Sequence, residues 1–180
     1  MELAAVILTL ICVYLTRENK TLNWPIAMLA SIAYFIVFFE AQLYAEMVLQ
    51  ILFFGQAIHG WYYWNKKKAN ESFKVEDMTW LVFVLHFTPA MLFCKLIHEL
   101  FLPQFNIWDM IAALLSVIAT YYTAKKVNKA WGFWIVVNII SIILFTYKEL
   151  YMSAVLYIIL LGISISGLIK WEKMSSYERV

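Results

Sequence analysis

Charge is scarce in this chain. Asp, Glu, Lys and Arg together make up 14% of its 180 residues, apolar residues 64%, and mean hydropathy is +0.75. A soluble domain carries nearer a quarter charged residues, so too little polar surface exists to cover a water-soluble fold. Cysteine is sparse as well. Cys12 and Cys94 stand alone within apolar stretches, which argues against a disulfide or a thiolate metal site and reads as small core residues. The chain lacks a glycine-rich phosphate loop, a nucleophile elbow, HExxH and CxxC, so no catalytic residue, cofactor or metal is expected, nor ATP-driven transport by this chain alone. No cleavable leader is expected either: the start has no basic residues, and the first apolar stretch runs into Thr16-Arg17-Glu18 without a small-residue cleavage site. What remains is an all-α integral membrane protein.

Apolar runs predict seven helices, at about 2–16, 24–40, 42–64, 79–102, 107–123, 131–147 and 149–171. Most reach or approach the roughly 20 residues needed to cross hydrocarbon. The connections are short, apart from the polar stretch 65–78. Lys and Arg fall almost entirely on one side: Arg17, Lys20, Lys66, Lys67, Lys68, Lys74, Lys125, Lys126, Lys129, Lys170, Lys173 and Arg179, against Lys148 on the other. By the positive-inside rule the N-terminus is outside and the C-terminus cytoplasmic. Trp24, Trp61, Trp64, Trp80, Trp131 and Trp171 gather on the same side, as an interfacial aromatic belt does, and only Trp108 lies at the outer end.

The chain also repeats itself with a shift of 107 residues. Trp24 falls on Trp131, Phe38 on Phe145, Leu43-Tyr44 on Leu150-Tyr151, Gly55 on Gly162, Gly60 on Gly167 and Trp64 on Trp171. Helices one to three and five to seven are therefore two copies, and the uncopied fourth helix crosses the membrane to restore orientation. The result is two parallel three-helix bundles joined by a linker helix, a 3+1+3 plan. Its parts are residues 1–66, a loop and linker helix over 67–105, a second repeat over 106–173 and a tail over 174–180. Parallel repeats of this kind place substrate at their interface and rock around it.

Asn23-Trp24-Pro25-Ile26, Gln42-Leu43-Tyr44-Ala45-Glu46, Leu49-Gln50 and His59-Gly60-Trp61-Tyr62-Tyr63-Trp64 resemble the Pnu vitamin-transporter family. So do Trp131-Gly132-Phe133-Trp134, Val137-Asn138 and Tyr147-Lys148-Glu149-Leu150-Tyr151. The resemblance covers nearly the whole chain. It implies a full-length SWEET-like fold in a bacterial inner membrane and a B-vitamin or vitamin precursor as substrate: nicotinamide riboside, thiamine or riboflavin. It implies facilitated diffusion made one-way by a cytoplasmic salvage kinase, and a homotrimer. No nucleic-acid partner is implied.

Several residues are candidates for the site. Trp131, Trp134 and Asn138 share one helical face, and Asn138 lies about 10 Å deeper than Trp131 at 1.5 Å per residue. An unpaired amide near the midplane costs several kcal/mol (about 2–7) in hydrocarbon. It must face protein, as interhelical glue, or a wet cavity. Many family members carry Asp where Asn138 stands. Gln50 poses the same question on helix three, where Glu46, Phe53, Phe54, Ala57 and Trp61 share roughly its face, and Tyr157 is its repeat partner. Glu46, nearer the outer end, is either solvated or attracts a cation. Tyr151 and Tyr157, with Tyr34 and Tyr121, either line the path or pack. Aromatic residues make up 18% of the chain. They suit a small cationic aromatic vitamin, since a cation–π contact is worth about 0.5–2 kcal/mol. Trp134 is the best platform, because it lies below the belt; Trp61, Trp64 and Trp131 are equally read as belt. Pro89 is expected to kink helix four, whose His86 and His98 lack the company a metal needs.

Between the two cationic vitamins, thiamine is narrowly favoured over nicotinamide riboside. The chain begins almost at helix one, Asn138 replaces a carboxylate, and few partners for ribose hydroxyls are evident. The rival of another class is a membrane scaffold or sensor that transports nothing, which tolerates Asn138→Leu and Gln50→Leu.

Overall fold

The computed structural model describes residues 2–42, 44–69, 75–102, 106–147 and 149–177. Leu43, Lys74, Lys148 and Arg179, used above in the repeat and the charge count, lie outside the described residues. Among the described residues there are seven helices: α1 (Glu2–Arg17), α2 (Asn23–Glu40), α3 (Tyr44–Ala69), α4 (Trp80–Phe101), α5 (Ile107–Ala124), α6 (Ala130–Tyr147) and α7 (Tyr151–Tyr177). Each falls on a predicted apolar run. Only α3 and α7 extend well beyond theirs, by about a turn or more at their lysine-rich ends. Five helices, α2 and α4 to α7, are long and apolar enough to cross a membrane. α1 has only 16 residues, and α3 is diluted by Gln50, Gln56 and His59.

Local chemistry fixes where the helices start and stop. The Thr79 hydroxyl accepts from the Val82 amide at 3.3 Å to cap α4, and the Asn106 side chain accepts from the Trp108 amide at 2.8 Å to cap α5. α1 and α5 end alike. Asn19 and Lys126, 107 residues apart, both have positive φ, 58° and 62°. Their amides donate back to Thr16 and Thr123, each at 2.9 Å, and those of Lys20 and Val127 to Leu15 and Tyr122. This is the left-handed cap that ends many helices, normally on Gly or Asn. Gln42 and Glu149, at 59° and 60°, repeat the device after α2 and α6. The four non-glycine residues with positive φ among those described are thus two repeat pairs, and the duplication extends to strained backbone.

Six helices close a ring in the order α1–α2–α3–α5–α6–α7, with α7 returning to α1, while α4 stands outside against α5. Between α4, α5 and α6 lies an aromatic core. Phe133 packs on Phe83 at 4.4 Å between ring centroids and stacks on Tyr122 at 5.6 Å. The opposite side of α4 exposes Leu81, Leu85, Leu92, Phe93, Leu96 and Leu100. Pro89 lies inside this helix. In hydrocarbon, exchanging lipid for protein contact gains little hydrophobic free energy, so close packing and interhelical hydrogen bonds hold such a ring.

A three-layered interior as candidate substrate site

Seven residues along a helix are nearly two turns, so residues seven apart stack on one face about 10.5 Å apart in height. Four helices of the ring carry such stacks. From the lysine-rich end, α2 presents Trp24, Ser31 and Phe38, and α6 presents Trp131, Asn138 and Phe145. α3 presents Trp64, Ala57 and Gln50, and α7 presents Trp171, Ser164 and Tyr157. The stacks build three layers.

The lowest layer is tryptophan throughout. Trp24 meets Trp64 edge to face at 5.4 Å and 87°, and Trp131 meets Trp171 at 5.5 Å and 87°; across the ring Trp64 and Trp171 are 6.2 Å apart. None is more than 2% exposed. The belt expected at these positions is therefore corrected: these four indoles fill the interior, and the outward-facing tryptophans are Trp61, Trp80 and Trp108. Glycine makes the row possible. A Cβ on Gly60 would lie 2.5 Å from the Trp24 ring, and one on Gly167 would lie 2.6 Å from Trp131. The Trp64 indole N–H donates to the Ala124 carbonyl at 3.1 Å, and that of Trp171 to the Arg17 carbonyl at 3.3 Å. These too are repeat-related. The Trp24 and Trp131 indole nitrogens are buried without a hydrogen-bond partner.

The middle layer, Ser31, Ala57, Asn138 and Ser164, is small and mostly polar, and each member is at most 6% exposed. Asn138 Nδ2 donates to Ser164 Oγ at 3.0 Å, and Ser164 in turn donates to the Leu160 carbonyl. The amide is thus satisfied on one side by an interhelical bond, while its oxygen remains able to accept. The upper layer, Phe38, Gln50, Phe145 and Tyr157, is half-buried. Tyr157 stacks on Phe145 at 5.2 Å and 16°, and Tyr34 on Phe38 at 5.5 Å and 19°. The interior is thus sealed at the lysine-rich end and least buried toward the other.

The predicted site residues divide. Asn138, Gln50, Tyr157 and Trp131 join the stacks. Trp134 sits beside them, half-buried, its indole N–H donating to Thr123 Oγ1 at 3.2 Å. In the first copy the Asn23 amide fills that role toward Thr16, at 2.9 Å, which shows how Ala27 replaces a tryptophan there. Trp61 is 46% exposed, one position off the stripe of Ala57, Gly60 and Trp64, and points out of the ring. Tyr151 and Glu46 are exposed at the end opposite the lysines. The structure thus leaves Trp61, Tyr151 and Glu46 apart from the layers. Ser31, the repeat partner of Asn138, was expected near the substrate because the copies differ there, and Trp64 was read as belt or site; sequence reasoning passed over Ser164 and the Trp24 and Trp171 indoles. The signal was available, because each shares a heptad stripe or a repeat position with a residue that was chosen.

Charges gather at the lysine-rich end. Lys170 pairs with Glu18, which also meets Arg17. The hydrogen bond from Lys170 holds the Glu18 carboxyl below the usual carboxylate range. Lys129 pairs with Glu172 and lies 4.3 Å from the Trp80 ring centroid. A surface recess of about 530 Å3 nearby, lined by Asp77, Trp80, Asn128 and Glu172, lies away from the layers. No cluster of three or more metal-ligating side chains occurs among the described residues.

The profile of a family described as nicotinamide mononucleotide transporters matches residues 1–173. The chain is 26% identical over 201 positions to the nicotinamide riboside transporter PnuC of Escherichia coli strain K12, covering 95% of this chain and 84% of that protein. A protein of the same name from Neisseria mucosa is 26% identical over 189 positions, covering 94% and 71%. The crystal structure of the vitamin B3 transporter PnuC matches with a TM-score of 0.77 at 22% identity, covering 97% of this chain and 81% of that one, a likeness of fold.

Proposed function

The chain belongs to the nicotinamide mononucleotide transporter family, a family of vitamin transporters, and from that premise we propose that it carries nicotinamide riboside into the cell. The observation carrying this reading is the name shared by relatives that align with nearly the whole chain. Those relatives are transporters and not enzymes. They favour the riboside over thiamine, and one reason for the thiamine preference weakens in this reading, since buried hydroxyls on Ser31 and Ser141 are candidate partners for a ribose.

In this reading the site is the middle layer. The flat pyridinium lies between the tryptophan floor and the Phe145–Tyr157 stack, held by aromatic faces rather than by a fixed carboxylate. Asn138 reads its carboxamide or ribose, and Gln50 and Trp134 flank it. Residues 1–66 and 106–173 act as two parallel bundles joined by the loop and linker helix α4 within 67–105, in the 3+1+3 SWEET-like plan. The ring order and the matched positive-φ turns support this. Lysines on one side support an outside N-terminus and a cytoplasmic C-terminal tail over 174–180, in a bacterial inner membrane. Transport is facilitated diffusion, trapped by a cytoplasmic kinase, in a trimeric carrier.

Uptake of labelled nicotinamide riboside and thiamine into liposomes holding the purified protein tests the proposal. Saturable, competable riboside entry is expected. Entry of thiamine alone, or of neither compound, sinks it.

A further inference from the structure

If the two repeats rock, the ring must part somewhere along the seams that join them. There are two, α3 against α5 and α1 against α7. The duplication makes them comparable position by position, and they are not alike.

Both seams carry the tryptophan tether, Trp64 to Ala124 and Trp171 to Arg17. Beyond that they diverge. In the α3/α5 seam Gln56 Nε2 donates to the Val117 carbonyl at 3.0 Å, in mid-span, where hydrocarbon offers no replacement partner. The matching positions in the other seam are Ile163 and Leu10, which make no such bond. At its lysine-rich end the α3/α5 seam has Lys125 over the Tyr63 ring at 4.7 Å. The repeat-related pair in the other seam is Glu18 and Lys170, an ion pair with side chains 23% and 37% exposed. Water can solvate both partners there once they separate. The α5–α6 turn is also strapped. The Glu76 amide donates to the Lys126 carbonyl at 2.9 Å, the Asn128 amide to the Glu76 carbonyl at 3.0 Å, and the Met78 amide to Asn128 Oδ1 at 3.0 Å. Val75 of the same strap is buried in the tryptophan cluster. No described segment straps the matching α1–α2 turn in this way.

We propose that the two seams have different jobs: α3/α5 is the hinge, α1/α7 is the seam that opens to release substrate on the lysine-rich side, and Glu18–Lys170 is its latch. The hinge holds a mid-membrane hydrogen bond that is costly to break, whereas the latch exchanges an ion pair for water. Opening at α1/α7 draws Trp171 from Arg17 and splits the tryptophan floor between Trp64 and Trp171. The proposal rests on the transport reading, but its test does not need a transported compound.

Spin-label pairs at repeat-related, exposed positions report each seam separately: Y14C/I169C across α1/α7 and Y62C/Y121C across α3/α5, in a C12S/C94A background. All four sites are exposed surface positions. E18K, which sets like charges face to face, is expected to add a longer-distance population to the first pair and leave the second single. The swap E18K/K170E is expected to restore one population in both. An unchanged Y14C/I169C distance in E18K, or equal opening of the two seams, overturns the assignment. Failure of riboside uptake by the unaltered protein would count against the transport reading and leave the distance result standing.

Discussion

Two glycines are needed for close helix contact, and two are not. Gly60 and Gly167 lie under the Trp24 and Trp131 rings, whereas nothing lies within 4 Å of a Cβ built on Gly55 or Gly162. Alanine is favoured over glycine in a helix by about 0.8–1 kcal/mol, while overpacking a tight contact costs about 1–3 kcal/mol. Gly55→Ala and Gly162→Ala should therefore raise the melting temperature slightly, and Gly60→Ala and Gly167→Ala should lower it, read by thermal unfolding in detergent. Equal effects at all four would contradict the packed floor. Asn138 poses a sharper question, because glue and binding predict different magnitudes. Interhelical hydrogen bonds in a bilayer average about 0.6 kcal/mol. Asn138→Leu should therefore change stability little yet weaken riboside binding tenfold or more, measured on the same preparation. A variant that destabilises the fold but binds normally would make the Asn138–Ser164 bond purely structural.

At the scale of elements, helix positions were legible because apolar run length and charge mark membrane spans directly. The extra turns of α3 and α7 were not, since they leave the hydrocarbon and carry Lys66, Glu172 and Ser175. The tryptophans were misplaced for a related reason. Belt and interior both put indoles near helix ends, and composition does not distinguish them. The distinguishing feature was in the repeat: Trp24 and Trp131 recur with Gly60 and Gly167, and an indole facing headgroups needs no glycine opposite. The α1/α7 pair also has a pH signature. Lys170 depresses Glu18, with smaller help from Arg17 and Lys20. The latch should hold at neutral and mildly acidic pH and weaken only as pH falls through that depressed value. The Y14C/I169C distance should lengthen there, while one that lengthens as pH rises from neutral would contradict the assignment.

The molecule as a whole is a ring of six helices whose interior changes character with depth: indoles at the lysine-rich end, a small polar layer, then a half-open aromatic layer. Its helices and its internal repeat were readable, since apolar runs mark the spans and the 107-residue shift returns in the paired positive-φ turns. The ring order was not, because helix neighbours depend on side-chain fit that periodicity does not encode. Trp61 shows the limit: it counted as part of the Gln50 face, and its single-residue offset from Ala57, Gly60 and Trp64 turns it to the outside. The proposed orientation, N-terminus outside, rests on the charge asymmetry. A membrane-impermeant thiol reagent applied to intact cells should modify L3C near the N-terminus and spare S176C in α7; the reverse pattern would invert the carrier.

In the proposed function a cationic pyridinium nucleoside is held in the middle layer by Asn138 and the aromatic layers on either side. Calorimetric titration of the purified protein with nicotinamide riboside and with thiamine tests it most directly. Riboside binding at least tenfold tighter than thiamine is expected, with the riboside affinity lost in Asn138→Leu. A tenfold preference for thiamine, or riboside binding untouched by that substitution, would contradict it.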